Sequence, residues 1–286
     1  MLNSELEKKL QKEISKSGYP VELDIVENLR DAGYLVSSNV TYNTRQSSFK
    51  EIDAIAFSAT ERSVDWPFGT VGNILAVECK RQREKPWVFF EEVYDPLAGL
   101  GLVIHADIMT ELEYTDGYSV VAGCMNSPLS SHHFNAHLPT ARTYFEAFRP
   151  SNHENIIFKA IQSVWYALAF IHSWFDENKQ VDESQADGQN LRTSITQGVI
   201  VLDGQLILAS KTDEGFTLTK SEHIVLRTID CVTGRSTSPS LFGKEVLIDV
   251  VSYDSFPAYL TQSLKNSQLL EQHLIAQYRA GWIAKP

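Results

Sequence analysis

The sequence predicts an α/β protein, and three observations carry that prediction. Apolar residues recur at helical spacing in separated stretches at 21–29, 157–175 and near the C-terminus. Between them stand short apolar runs of β type, bounded by Gly, Pro, Asn and Asp. The composition is that of a packed globule: 286 residues, 43% hydrophobic, with 14 Phe, 11 Tyr and 5 Trp, too many aromatics for a disordered chain. The whole chain, 1–286, reads as one domain.

Taken in order, Ser4 followed by Glu7 reads as a capping box that opens a helix to about Ser15. Its apolar residues Leu2, Leu6, Leu10 and Ile14 recur every four, a narrow stripe that docks either on its own domain or on a second copy of the chain. Pro20 suits the first turn of a second helix, Val21, Ile25, Val26 and Leu29 give it one apolar face, and Gly33 closes it. Three strands are expected at Tyr34 to Tyr42, Glu51 to Ser58 and Asn73 to Lys80, with Trp66-Pro67-Phe68-Gly69 breaking the chain between the last two. Residues 86–150 are less regular and read as an insertion, with a strand at Tyr118 to Gly123. Asn155 to Phe175 is the strongest helix, apolar on so wide a face that it is mostly buried. An acidic linker over 177–194 leads to Gly198 to Leu202 and Gln205 to Ala209, which read as a hairpin joined at Asp203-Gly204. Strands at His223 to Asp230 and Glu245 to Val251 and an amphipathic helix from Phe256 to Tyr278 form a β-plus-helix extension over 210–286.

Several classes are excluded or disfavoured. No uninterrupted apolar run reaches the roughly 18 residues of a membrane span. No secretory signal is visible in the polar N-terminus, and Cys79, Cys124 and Cys231 are odd in number and far apart, so a reducing, cytoplasmic setting is expected. The net charge of −11 argues on its face against nucleic acid. Its distribution weakens that argument. No Lys or Arg occurs from Pro86 to Ala141, where seven carboxylates give −7, and Asp176 to Asp187 gives −4, which accounts for the whole excess. The remainder is neutral and holds a basic cluster, Lys80, Arg81, Arg83 and Lys85. Screening cuts surface electrostatics off at about 8–10 Å, so local potential governs binding.

The chemistry concentrates at Glu78-Cys79-Lys80, which ends the apolar run Ile74-Leu75-Ala76-Val77. Alternate residues of a strand share a face, so Glu78 and Lys80 point together and Cys79 points away as a small buried residue. Charges at the end of a buried strand are costly without a reason. If the preceding strand is adjacent and antiparallel, its Asp53 lies across from Glu78. Two hard carboxylates plus water suit Mg²⁺ or Mn²⁺. Such an ion lowers the pKa of an attacking water, and a neighbouring lysine orients that water or stabilises transition-state charge. A structural ion pair at a strand end is the alternative. Glu-x-Lys also occurs at Glu7 and Glu177, but there in polar contexts that a solvated helix face explains.

The succession of a helix with an early Glu, then Gly33-Tyr34-Leu35-Val36, Glu51-Ile52-Asp53 and Val77-Glu78-Cys79-Lys80 resembles the PD-(D/E)XK nuclease superfamily. The resemblance covers 20–85 and continues through 155–175 and 198–202, with core motifs at 20–85 and 155–209. It implies a restriction-endonuclease-like αβββαβ core, a mixed central sheet flanked by helices. It also implies roles: Asp53 and Glu78 as metal ligands, Cys79 contributing its backbone carbonyl only, Lys80 as the catalytic lysine and Glu22 as an accessory glutamate, with Glu27 its competitor. Gln82 matches a polar residue some members carry just beyond the lysine. The implied function is a Mg²⁺- or Mn²⁺-dependent endonuclease acting on DNA rather than RNA, in bacterial defence, restriction or repair. The alternatives are a non-catalytic interaction module that keeps the fold, and a nuclease active only in a complex whose partner sits on the acidic segment 86–141. Arg81, Gln82, Arg83 and Lys85 adjoin the site and are candidate phosphate contacts or a solvated face. Trp87, Phe89 and Phe90 suit packing better than base stacking, and His132, His133 and His137, flanked by Ser, Asn and Pro, suit a loop better than a metal site.

Overall fold

The computed structural model describes residues 3–43, 49–61, 70–92, 109–110, 138–149, 155–183, 193–229 and 245–280. The expected strand at 118–123, the three histidines, the breaker at 66–69, Cys124, Cys231 and most of the acidic segment 86–141 lie outside them. The described residues form four helices and nine strands in one mixed sheet, an α/β fold. The helices are α1 (Ser4–Lys16), α2 (Tyr19–Asp31), α3 (Ile156–Glu183) and α4 (Phe256–Arg279). The strands are β1 (Leu35–Asn43), β2 (Phe49–Ala59), β3 (Val71–Glu91), β4 (Met109–Thr110), β5 (Thr140–Glu146), β6 (Thr193–Thr212), β7 (Gly215–Lys220), β8 (His223–Ile229) and β9 (Glu245–Ser252). Among the described residues, no helix is long and apolar enough to cross a membrane.

β1, β2 and β3 form an antiparallel meander, and β6 runs parallel to β3 along its length. β3 also pairs with β5, β5 with β8, β8 with β9 and β9 with β6, so five strands make a closed circuit of ladders. Two apolar layers cover the sheet. Ile157, Ile161, Val164 and Ile171 of α3 pack on Ile74, Ala76, Ile200 and Leu202. Val21, Ile25, Val26 and Leu29 of α2, with Phe256 and Leu260 of α4, pack on the other side against Leu75, Val77, Val199 and Val201. Each such side chain, removed wholly from water, contributes roughly 1.5–3 kcal/mol. Polar bonds fix α4 further: Asn73 Nδ2 donates to Ser263 Oγ and O at 2.9 Å, Ser263 Oγ to Gln197 Oε1 at 2.8 Å, and Tyr259 Oη to Asp249 Oδ2 at 3.0 Å.

Four local readings need correction. The N-cap of α1 is Asn3, whose Oδ1 accepts from the Glu5 amide at 3.0 Å; Asn and Ser are equally good caps, and spacing alone does not choose between neighbours. The core strand does not end at Lys80 but continues to Glu91 through Pro86. Proline is tolerated there because the β3–β6 register shifts between Gln82 and Trp87, leaving a bulge in which no amide is demanded. Residues 86–91 and 140–146 therefore belong to the sheet, and Trp87 and Phe89 are fully buried in the core. α3 runs on to Glu183, so the first seven of the eighteen residues expected to be linker are helical.

The fourth is the hairpin at Asp203-Gly204, where β6 passes straight through. Asp203 is held by two arginines of β3, and a Cβ on Gly204 would stand 2.4 Å from the Gln82 carbonyl oxygen. The dipeptide serves close strand approach, not a turn. The actual hairpin joins β6 to β7 eight residues beyond Gly204, with Thr212 opposite Gly215. Gly204→Ala is expected to lower stability by about 1–3 kcal/mol, the usual cost of overpacking, measured as a shift in urea midpoint at unchanged m-value. An unshifted midpoint would mean that β3 and β6 separate freely here.

Candidate active site

The site is built where two strands part. The β2–β3 ladder runs from Ala59↔Gly72 to Ala54↔Val77 and stops; one step further stand Asp53 and Glu78. A second irregularity falls at the same level. Residues two apart on a strand normally share a face, yet Ile52 packs in the α3 layer and Ala54 in the α2 layer. β1 makes the same exchange between Val36 and Val40. Between them Asn39 has φ of 50°, a left-handed conformation that Asn tolerates better than most residues. The β1–β2 hairpin thus turns over at Asn39 and Asp53, and Asp53 sits at the crossover rather than on either apolar face.

There Asp53 replaces the missing strand. Its Oδ2 accepts the Cys79 amide at 2.6 Å, satisfying a donor that the departing β2 backbone no longer meets. The N–H and C=O of one strand residue point to the same neighbour, so the Cys79 carbonyl also faces the fork. The Cys79 side chain packs with Val77 and Ala54 under α2, and its thiol is pushed well above its usual range by burial and by the nearby Asp53 and Glu78 charges. It packs as a small buried residue.

Glu78 is buried, 5% exposed, on the α3 side. Its Oε1 accepts from Lys80 Nζ, and the Ser163 hydroxyl of α3 donates to it as well. Burial raises the Glu78 carboxyl to about 7, reinforced by Asp53 and opposed by Lys80 and Ser163. Burial also raises Asp53, opposed by the Cys79 amide and Lys80. On Lys80 burial acts to lower the ammonium, but Glu78 and Asp53 outweigh it and hold the group above its ordinary value. Glu22, in the first turn of α2, is half-buried and raised by desolvation and then by Asp53, while Lys80 lowers it. It therefore feels Asp53 of β2 and Lys80 of β3. Glu27 is exposed.

By register, the oxygen-bearing groups available at the fork are the carboxylates of Asp53 and Glu78 and the carbonyl of Cys79. Among the described residues, no group of three or more His, Cys, Asp or Glu side chains gathers at one metal position. That donor set still suits a hard cation. Mg²⁺ retains several waters and is commonly held through one or two carboxylates, whereas a soft or borderline metal would ask for Cys or His.

The basic residues beyond Lys80 are already engaged. Arg83 Nε donates to both Asp203 oxygens at 2.9 Å, and Arg81 Nε lies 3.4 Å from Asp203 Oδ2. Arg81 also donates to the Ser15 and Ser17 carbonyls at the end of α1. Lys85 Nζ lies 3.7 Å from buried Glu146. Gln82 is half-buried, with its carbonyl beside Gly204. A cavity of about 240 Å³ beside Arg83 and Asp203 mixes Lys220 with Glu222 and Asp254, and so has no clear preference for an anion. Sequence reasoning did not find Ser163 or Tyr42, whose hydroxyl donates to the Ser163 carbonyl at 3.1 Å. Both sit on the α3 side of the fork, and nothing local marks them.

The chain matches no protein-family model, no curated protein and no solved structure.

Proposed function

We propose that the chain is a divalent-metal-dependent endonuclease of the PD-(D/E)XK type, hydrolysing phosphodiesters in DNA rather than RNA, with α2-β1-β2-β3-α3-β6 as its restriction-endonuclease-like αβββαβ core. The observation that carries the reading is the fork, with Asp53 and Glu78 in the opening, Lys80 bonded to Glu78, and the Cys79 amide held by Asp53. Strand order supports it, since β6 lies parallel to β3 on the side opposite β2.

Asp53, Glu78 and the Cys79 carbonyl would hold Mg²⁺ or Mn²⁺, which supplies a water acidified for attack and charge neutralisation on the phosphoryl oxygens. Lys80 keeps its proton through neutral pH and places a positive charge beside the reacting phosphate, where it stabilises developing negative charge. Asp53 is oriented by the Cys79 amide, and Glu78 by Ser163 and Lys80. Glu22 is positioned to accept a hydrogen bond from water entering on the α2 side. The setting is bacterial defence, restriction or repair in the cytoplasm, and a protein partner would be drawn to the acidic segment 86–141.

A non-catalytic module that keeps this fold is the second reading, favoured by the absence of a three-carboxylate cage among the described residues. One experiment separates the two. The purified chain is assayed on single-stranded, duplex and branched DNA and on RNA with Mn²⁺, Mg²⁺ or EDTA, while Mn²⁺ binding is followed by thermal shift. Cleavage that EDTA abolishes, with a Mn²⁺-dependent rise in Tm, is the expected result. Neither cleavage nor a shift at millimolar Mn²⁺ leaves the binding module.

A further inference from the structure

α1 has no buried residue. Leu6, Leu10 and Ile14 are 47%, 43% and 56% exposed, and steps of four residues keep them within an arc of about 80° on one face. The packing of this stripe on its own domain, one of two outcomes expected from the sequence, is not found among the described residues. The helix is not a loose arm. Asn3 caps its start, and Arg81 of β3 donates to the Ser15 and Ser17 carbonyls at its end. An apolar stripe is thus presented to solvent on a helix capped at its start and tied to β3 at its end.

We infer that this stripe pairs antiparallel with the α1 of a second copy of the chain. The charges select that occupant and that direction. The first turn carries Glu5 and Glu7, and the rest carries Lys8, Lys9, Lys12 and Lys16 against Glu13 alone. A two-fold axis at Leu10 lays each acidic end over the partner copy's basic end and opposes the helix dipoles; a parallel pair would stack like ends. The described part of the apolar stripe, Leu6, Leu10 and Ile14, is symmetric about the same residue, so Leu6 meets Ile14 and Leu10 meets its own counterpart. Lys9 and Glu13 lie on one flank of the stripe, and the axis brings Lys9 of each helix beside Glu13 of the other. The present pairs, Lys9 with Glu5 at 2.9 Å and Lys16 with Glu13 at 3.9 Å, are solvent-exposed and exchange at little cost. One short helix per copy falls below the roughly 1,000 Å² of a stable interface, so the dimer is reversible, with a dissociation constant of about 10 µM to 1 mM.

Sedimentation velocity across that concentration range tests it on the full chain. The wild type is expected to pass from monomer to dimer, and Leu10→Glu to weaken association at least about tenfold. Because α1 buries nothing, Leu10→Glu should keep the wild-type circular dichroism and Tm. Lys9→Glu should weaken the dimer and the exchange Lys9→Glu/Glu13→Lys should restore it. Under mild oxidation, Leu6→Cys mixed with Ile14→Cys should cross-link through those two positions, identified by the mass of the linked peptide, and either variant alone should not. A wild type that stays monomeric to about 1 mM, or a Leu10→Glu chain that dimerises unchanged, overturns the inference. Cross-links of each variant with itself would make the pair parallel and overturn it too.

Discussion

Lys80→Met should reduce phosphodiester cleavage by about 10²–10⁴-fold, the range for removing one preorganised group that stabilises transition-state charge or moves a proton. The same substitution leaves Glu78 buried without its cation. Breaking a buried pair by removing one partner costs about 3–5 kcal/mol. The loss here should be nearer 2 kcal/mol, because a quarter of the Lys80 side chain reaches solvent and the stranded carboxyl escapes part of the penalty by keeping its proton. Glu78→Gln/Lys80→Met should recover most of the lost stability, since replacing both members of a buried pair is often close to neutral. It should recover none of the activity. Urea denaturation at pH 8 and a nuclease time course on the wild type, two singles and the double form a complete cycle. The catalytic assignment fails if Lys80→Met cleaves at the wild-type rate. The pairing assignment fails if the double variant is as unstable as the sum of the singles.

What the sequence makes legible in this molecule is what periodicity and local polarity encode. The faces of α2 and α3 follow from Val21, Ile25, Leu29 and from Ile157, Ile161, Val164, all buried as their spacing requires. Asp53, Glu78 and Lys80 stand out because charge at the end of an apolar strand is expensive and therefore informative. The antiparallel β2–β3 pairing then brings the two carboxylates to one level, as their places in the two strands require. Local signals fail where a tertiary partner decides. Asp203-Gly204 has the chemistry of a turn, but Arg81 and Arg83 hold the Asp, and the Gln82 carbonyl occupies the space a side chain would fill. Pro86 looks like a strand breaker until the bulge of β3 makes it harmless. Tyr42 and Ser163 are invisible for a different reason. Ser163 lies 121 residues from the Tyr42 that bonds it, and neither belongs to a motif. The stripe on α1 marks the intermediate case, since periodicity announces an apolar face but never names what covers it.

The pH response of the fork is the second large effect, and its sign follows from Glu78. The carboxyl titrates near 4.5 when unfolded and near 7 when folded and metal-free. Below 4.5 both states hold the proton. From 4.5 to 7 the unfolded chain releases it and the folded chain keeps it, so stability falls as pH rises through that window. The shift corresponds to roughly 3 kcal/mol at 1.36 kcal/mol per pH unit. Asp53 and Glu22 are raised as well and act in the same direction. Lys80, held above its ordinary value, contributes in the alkaline range only, where its stabilisation is lost as pH rises through the folded pKa. Other groups also titrate, so the informative quantity is the difference between wild type and Glu78→Gln. In EDTA, the variant should gain about 3 kcal/mol relative to the wild type between pH 4.5 and 7.5, read from urea midpoints. A divalent cation competes for the same carboxylate. Mn²⁺ affinity of the wild type should therefore climb up to about tenfold per pH unit below 7 and level off above it, with protons released on binding in calorimetry. Affinity that is flat from pH 5.5 to 7.5 would remove Glu78 from the ligand set, and an unchanged stability difference would show that its carboxyl is not desolvated. The two measurements together separate a carboxylate that is merely buried from one that is held near neutrality for a cation to claim.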